Sequence, residues 1–418
     1  MYRVSHFVRH FAFCLLAGLA LAMLWVNLAP ESYFDFIEYR LADAPFVGYP
    51  DPSADFGANR TLTIGYLSGG VLMAFFFLLA GKELWEAIIL PTGSLRGRKA
   101  ITPLAATLGG MAGAALVYLA FSAIAGSGAV PVRGWVVPLA SDVALCYLVG
   151  RAVFGARHPA LRFLLLLTLT SDFYALLLAG SGPPAGMRSL VWLLLPLGAG
   201  LIAFLLFNRL PRFLHRDDRV TRRPGAGPLA ALPFLLAGVI SWYGVQQAGF
   251  HPALGLLPIV PAIPHANHAY GLFAEVEELL HDLLNRIAHA LVYPVCAALF
   301  LFGLTHGGAE IVAAGPVTLA VLAAVWLGKP AGVILGALFG ARVLGAGFPI
   351  GMGKRDLLIA ATITATSATV PLLAVPTALP GGEVAEAARL GIVCGLAALP
   401  AALVLLRLWP WLLRRKIA

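Results

Sequence analysis

Apolar residues run in long blocks along the chain, separated by short polar or Gly/Pro-rich breaks. The blocks fall at about 11–29, 62–80, 102–125, 135–150, 163–181, 189–207, 228–248, 250–264, 284–304, 313–341, 356–376 and 389–407, and a helix needs roughly 20 such residues to cross the hydrocarbon core of a bilayer. The pattern predicts about twelve membrane-spanning segments, some too short to cross as a regular straight helix. Lipid offers no partner to a free N–H or C=O, so the expected class is an all-α membrane protein, one integral domain over residues 1–418.

Composition strengthens that reading. The chain is 60% hydrophobic and 12% charged, with 45 Gly and 29 Pro, whereas a soluble domain carries about 25% charged residues. The net charge of +9 does not point to nucleic acid, because the basic residues gather in short connections. Such groups are Arg96, Arg98 and Lys99; Arg151, Arg157 and Arg162; Arg209 through Arg223; Lys354 and Arg355; and Arg414, Arg415 and Lys416. Strict alternation puts them on one side with both termini. The positive-inside rule makes that side the cytoplasm of a bacterial inner membrane, with lipid as the surrounding partner. The opposite stretch, 30–60, carries Asp35, Glu38, Asp43, Asp51 and Asp55 and no lysine. Its VGYPDPSADFG segment has turn chemistry, so a periplasmic loop with a small hairpin is expected there. Cys14, Cys146, Cys296 and Cys394 lie in apolar blocks without CxxC spacing and read as buried hydrophobes, so neither disulfide, zinc nor cofactor is implied.

Three charges interrupt the apolar blocks at mid-span: Asp142 in WVVPLASDVALCY, Asp172 in LLLTLTSDFYAL and Lys329 in WLGKPAG. An aspartate at a helix centre costs roughly 2.5–3.5 kcal/mol, so such residues default to function. The competing reading is a static Asp172–Lys329 ion pair. It is weakened because buried pairs stabilise little and because Asp142 has no cation in its own region. A carboxylate in low dielectric can hold a proton near neutral pH. A small hard cation, Na⁺ or Li⁺, takes oxygen ligands, which Asp172, the Ser171 and Ser141 hydroxyls and freed carbonyls supply. One carboxylate cannot hold H⁺ and Na⁺ together. Competition at Asp172 combined with alternating access is antiport, and Lys329 then neutralises Asp172 when no cation is bound.

Two segments, Trp135–Tyr147 and Leu357–Pro376, are polar and Pro-interrupted, each in the middle of a three-span group. Corresponding interruptions suggest inverted repeats over approximately 100–182 and 313–408 with a site between them. Asp142 is placed to offset the positive half-helix ends at the first break. Thr362, Thr364, Thr366, Ser367 and Thr369 are placed to satisfy freed backbone at the second, or else serve as ordinary hydroxyl packing.

Several segments, in order, resemble the NhaA-type sodium/proton antiporter family: LMAFFFLLAGKEL, GSLRGRKAITPLAATLGGM, GWVVPLASDVAL, LRFLLLLTLTSDFYAL, GFHPALGLL and LGKPAGVILGALFGARV. The resemblance implies discontinuous fourth and eleventh helices crossing at mid-membrane, an outward-facing hairpin, often a homodimer, and a role in pH homeostasis. It implies that Asp142 is the aspartate of the interrupted fourth helix, Asp172 the cation-binding member of an aspartate pair, Lys329 the tenth-helix lysine, and Glu83 a funnel glutamate tied to pH response. The departures are specific. Ser171 stands where the family has the first aspartate of its pair, Lys82, Trp85 and Glu86 change the funnel pattern, and ATITATSATVPLL replaces a Gly-rich eleventh-helix signature. Glu277, Glu278 and His281 read equally as a pH-sensing funnel or as a solvated helix face. With one carboxylate fewer, the expectation is a lower coupling stoichiometry, a weaker Na⁺ affinity or a different substrate. Another proton-coupled solute on the same fold and a non-transporting homologue are the alternatives. An enzyme is not expected: the sequence has no nucleophile–base pair, Walker loop or metal-ligand spacing.

Overall fold

A computed structural model of the protein describes residues 6–44, 46–50, 60–90, 93–95, 97–126, 128–156, 158–180, 190–209, 228–265, 272–274, 282–398, 400 and 404. Seven described helices are long and apolar enough to cross a membrane: Phe7–Leu28, Ile64–Ile89, Gly97–Ala125, Pro159–Gly180, Leu190–Arg209, Leu283–His306 and Pro316–Val343. A bent pair, Val132–Leu139 and Val143–Phe154, makes an eighth span with a 46° bend. The chain is a multi-pass membrane protein. Leu116, Leu201, Leu319 and Leu335 are more than half exposed, as side chains facing lipid are.

Among the described residues the regular long spans are fewer than the expected twelve or so, and shorter apolar helices such as Thr369–Ala378 stand beside them. The apolar block at 250–264 is the clearest departure: it forms short 3₁₀ turns, Pro252–Leu254 and Leu257–Ala262, instead of a spanning helix. Pro252, Pro258 and Pro261 remove the amides a continuous helix needs. The cysteines also divide: Cys146 is buried, Cys14 and Cys296 are half-buried, and Cys394 is exposed on its helix, so burial holds for one of the four. Beyond the first span, a short helix (Pro30–Glu38) leads into a three-stranded antiparallel sheet. Its strands are Arg40–Ala44, Tyr49–Pro50 and Arg60–Thr63, and the last pairs with both others.

Small residues set the helix packing around the future site. Gly97–Ala125 and Pro316–Val343 touch backbone to backbone: a Cβ on Gly332 would stand 2.1 Å from the Gly109 carbonyl oxygen, and one on Gly113 2.2 Å from that of Gly328. Close approach through small residues is how helices associate where lipid removes the hydrophobic drive. This contact fixes the height of Lys329, which starts a helical stretch just after a π turn at Ala324–Gly328. Pro330 follows; it has no N–H for the carbonyl one turn back, and the wider turn absorbs the defect. Gly332→Val forces backbone against backbone and is expected to cost more than about 3 kcal/mol. The readout is a lowered thermal midpoint and folded yield in detergent. Gly198→Ala, where an added Cβ meets nothing within 4 Å, is the neutral control.

Candidate functional site

The two interrupted segments meet. In the first, a 3₁₀ stretch ends at Leu139, residues 140–142 run extended, and Val143 begins the next half-helix. Pro138 lies inside the 3₁₀ stretch and keeps it from joining the following helix. In the second, Lys354–Ile363 and Thr369–Ala378 are separated by residues 364–368. At their crossing the backbones bond to each other. The Asp142 N–H donates to the Thr366 carbonyl at 3.0 Å, the Ser141 hydroxyl to the Thr364 carbonyl at 2.7 Å, and the Cys146 thiol to the Ile363 carbonyl at 3.3 Å. Breaking helices in the membrane frees such groups, and each break here supplies partners to the other.

Four half-helix ends gather at this point, and two charges answer them. Asp142 accepts from the Leu145 N–H at 2.8 Å and from the Thr369 N–H at 3.2 Å, so one carboxylate caps the N-termini of both inner half-helices. Lys329 answers the carbonyl ends. Its ammonium donates to the Ala140 carbonyl and, at 2.8 Å, to the Ser367 hydroxyl, which itself donates to Ala140 O at 2.7 Å. Asp142 and Lys329 are each 1% exposed. The static Asp172–Lys329 pair is not formed: the described ion pairs do not include it, and the lysine is held by backbone and hydroxyl.

Asp172 shares no hydrogen bond with this network, although Asp142 and Lys329 both act on it through space. It is 2% exposed, in the helix Pro159–Gly180, and neither carboxylate oxygen has a hydrogen-bond partner. Among the polar groups of the crossing, the Thr366 hydroxyl is likewise buried and without a partner, while Thr364 donates to Ala361 O at 2.6 Å. Ser171 is engaged: its hydroxyl donates to Thr168 O at 2.8 Å and accepts from the Ser141 N–H at 3.3 Å. It keeps one lone pair for a cation. A buried carboxylate that nothing in the fold uses costs stability and is free for a ligand. In this conformation it is occluded.

Glu83 lies elsewhere, at the other end of Met73–Ile89, where Lys82 reaches both Glu83 (3.0 Å) and Glu86 (3.3 Å). Glu83 also accepts from the N–H of Phe273, a non-glycine residue held at φ 51. Lys82, Glu83, Asn285 and His289 line a small cavity between the first, second and ninth expected spans. Glu277, Glu278 and His281 fall outside the described residues. Hydropathy alone did not single out Ala140, whose carbonyl anchors Lys329; a backbone group leaves no trace in residue type.

The solved structure of the sodium proton antiporter MjNhaP1 from Methanocaldococcus jannaschii at pH 8 shares the fold, with a TM-score of 0.51 at 15% identity, over 95% of this chain and 90% of that one. The chain is 46% identical over 396 residues to the Na⁺/H⁺ antiporter NhaA of Jannaschia sp. (strain CCS1), covering 94% of both chains. It is 36% identical over 394 residues to the Na⁺/H⁺ antiporter NhaA of Desulfitobacterium hafniense (strain Y51), covering 93% of this chain and 92% of the other. The family model described as Na⁺/H⁺ antiporter 1 matches residues 5–406, and the chain belongs to that family.

Proposed function

We propose that this protein exchanges Na⁺ or Li⁺ for H⁺ across a bacterial inner membrane by alternating access, the two ions competing for Asp172. The carrying observation is the division of labour at the crossing: Asp142 is consumed by two helix N-termini, Lys329 by the carbonyl ends, and Asp172 alone has both oxygens unengaged. Sodium takes oxygen ligands, and the Asp172 carboxylate, with the adjacent Ser171 hydroxyl and carbonyls freed at the break, would supply them. Ser141 holds the two breaks in register. The basic connections support cytoplasmic termini. The outer strands Arg40–Ala44 and Tyr49–Pro50 of the sheet support association of two copies outside the membrane. The Lys82–Glu83–Glu86 cluster supports a pH response at Glu83. The corresponding breaks support the repeat pairing of approximately 100–182 with 313–408.

The test is reconstitution in liposomes with an internal pH dye and added Na⁺, Li⁺ or K⁺. Na⁺ or Li⁺ is expected to move the dye signal and K⁺ to leave it flat; silence to all three cations from folded protein sinks the proposal. Stoichiometry follows from the same geometry. Ser171 carries no titrating proton and the Lys329 ammonium is held by Ala140 O and the Ser367 hydroxyl, so Asp172 is the carboxylate left to exchange one H⁺ for one Na⁺. Exchange is expected to be electroneutral: clamping the membrane voltage with K⁺ and valinomycin leaves the rate unchanged. Ser171→Asp adds a second titrating carboxylate and makes the rate voltage-sensitive.

A further inference from the structure

Ser367 lies in the break between Lys354–Ile363 and Thr369–Ala378 and is fully buried. Its hydroxyl has a single proton, which goes to the Ala140 carbonyl at 2.7 Å, so a lone pair faces the Lys329 ammonium at 2.8 Å. The ammonium donates to the same carbonyl. These directions are fixed, because a carbonyl only accepts and an ammonium only donates. Ammonium, hydroxyl and carbonyl close a ring. It ties the first residue of the helix Lys329–Leu338 to both breaks, and it fills both acceptor positions of Ala140 O.

The ring decides where the cation stands. Lysine is a compact charge on a flexible four-carbon stem. The buried Asp172 carboxylate has neither oxygen hydrogen-bonded, and it and Lys329 act on each other through space. A direct ammonium–carboxylate contact is stronger than one with a neutral hydroxyl. Against it stands the ring: moving the ammonium to Asp172 breaks two of its three bonds and strips the carbonyl end of its cation. The Ala140 carbonyl is backbone and stays whatever the residue. Ser367 is the part of the ring that a substitution removes.

We propose that Ser367 is a positioning residue that holds Lys329 off Asp172, so that the counter-charge of this carboxylate is always an ion drawn from solution, H⁺ or Na⁺. The inference rests on the antiport reading and adds two properties to it. Na⁺ meets no tethered competitor at Asp172, so its affinity is preserved. The ion-free site is a bare buried anion, which is costly to carry across, so the return step waits for a proton. With Lys329 paired to Asp172 the ion-free site is neutral and returns without a proton, and Na⁺ then leaks down the voltage.

The test uses the full chain. Na⁺ flux and an internal pH dye are followed together in proteoliposomes, and the thermal midpoint is followed against Na⁺ concentration in detergent. Ser367→Ala is expected to raise the KM for Na⁺ about tenfold, the loss of one hydrogen bond to a charged group, with the maximal rate retained. The Na⁺ concentration that half-stabilises the protein rises with it. A K⁺/valinomycin voltage is expected to drive a Na⁺ flux through this variant with no matching dye signal. A role in packing alone lowers the starting midpoint and the active fraction, and moves neither the KM nor the leak. Ser367→Thr keeps the hydroxyl and is expected to restore parent behaviour. Should the alanine variant not fold, Ser367→Cys places a weaker acceptor at the same point and is expected to show the same shifts in smaller measure. The unaltered protein gives a check that needs no variant: at equal pH, voltage alone moves no Na⁺, and an unmatched Na⁺ flux overturns the lock. Exchange by the parent with an unchanged KM and no leak in Ser367→Ala overturns this inference alone. A parent that exchanges no ion overturns the antiport reading, and the inference with it.

Discussion

Asp172→Asn abolishes coupled exchange while leaving the protein folded. The amide keeps the volume and one oxygen but binds neither H⁺ nor a compensating cation charge. A charge-assisted contact is worth up to about 3 kcal/mol, and about 3 kcal/mol is about two orders of magnitude in rate. The dye response to Na⁺ is therefore expected to fall at least about a hundredfold. The stability side has the opposite sign from most charge deletions. Neither oxygen of Asp172 accepts a hydrogen bond, so removing the charge leaves no partner orphaned and relieves a desolvation cost. The thermal midpoint is expected to stay level or rise. Competition gives a further signature in the parent: acidification raises the apparent KM for Na⁺ and leaves the maximal rate intact, because protonation and Na⁺ binding exclude each other at one carboxylate. An Asp172→Asn protein that still exchanges Na⁺ at the parent's rate removes the basis of the mechanism.

What was legible in the sequence follows the physics of each signal. Asp142, Asp172 and Lys329 were visible because a charge inside an apolar block is expensive and rare. The two breaks were visible through Pro138 and through the hydroxyl run from Thr362 to Thr369. The partners were not. Lys329 next to two aspartates in a list of charges suggests an ion pair, yet its ammonium goes to Ala140 O and Ser367, because a carbonyl end at the crossing is as much a charge site as a side chain. Residue type carries no mark of that. The block at 250–264 looked like a span by hydropathy, and only its four prolines argue otherwise.

Asp142→Ala gives the largest loss of stability. It removes the acceptor of two buried amides, Leu145 N–H and Thr369 N–H, which begin two different half-helices. Each buried amide left without a partner costs about 1–3 kcal/mol, and the positive ends that face each other lose the charge between them. The combined expectation is about 3–5 kcal/mol, comparable with breaking a buried ion pair. It is read as a lower thermal midpoint and a poor folded yield. Asp142→Asn retains one carbonyl oxygen and can cap one helix while its amide group faces the other, so it falls between parent and alanine. Lys329 supplies the decisive comparison. Its ammonium balances the carbonyl ends as Asp142 balances the amide ends, so the crossing is neutral only with both present. Lys329→Met in the parent leaves Asp142 as an uncompensated buried anion. In the Asp142→Asn background it removes a cation that has already lost its opposite. The double variant is therefore expected to be more stable than the sum of the single losses predicts, by a coupling of about 1–3 kcal/mol. Strict additivity means that the two charges serve their helix ends independently, and that the crossing is not a balanced electrostatic unit.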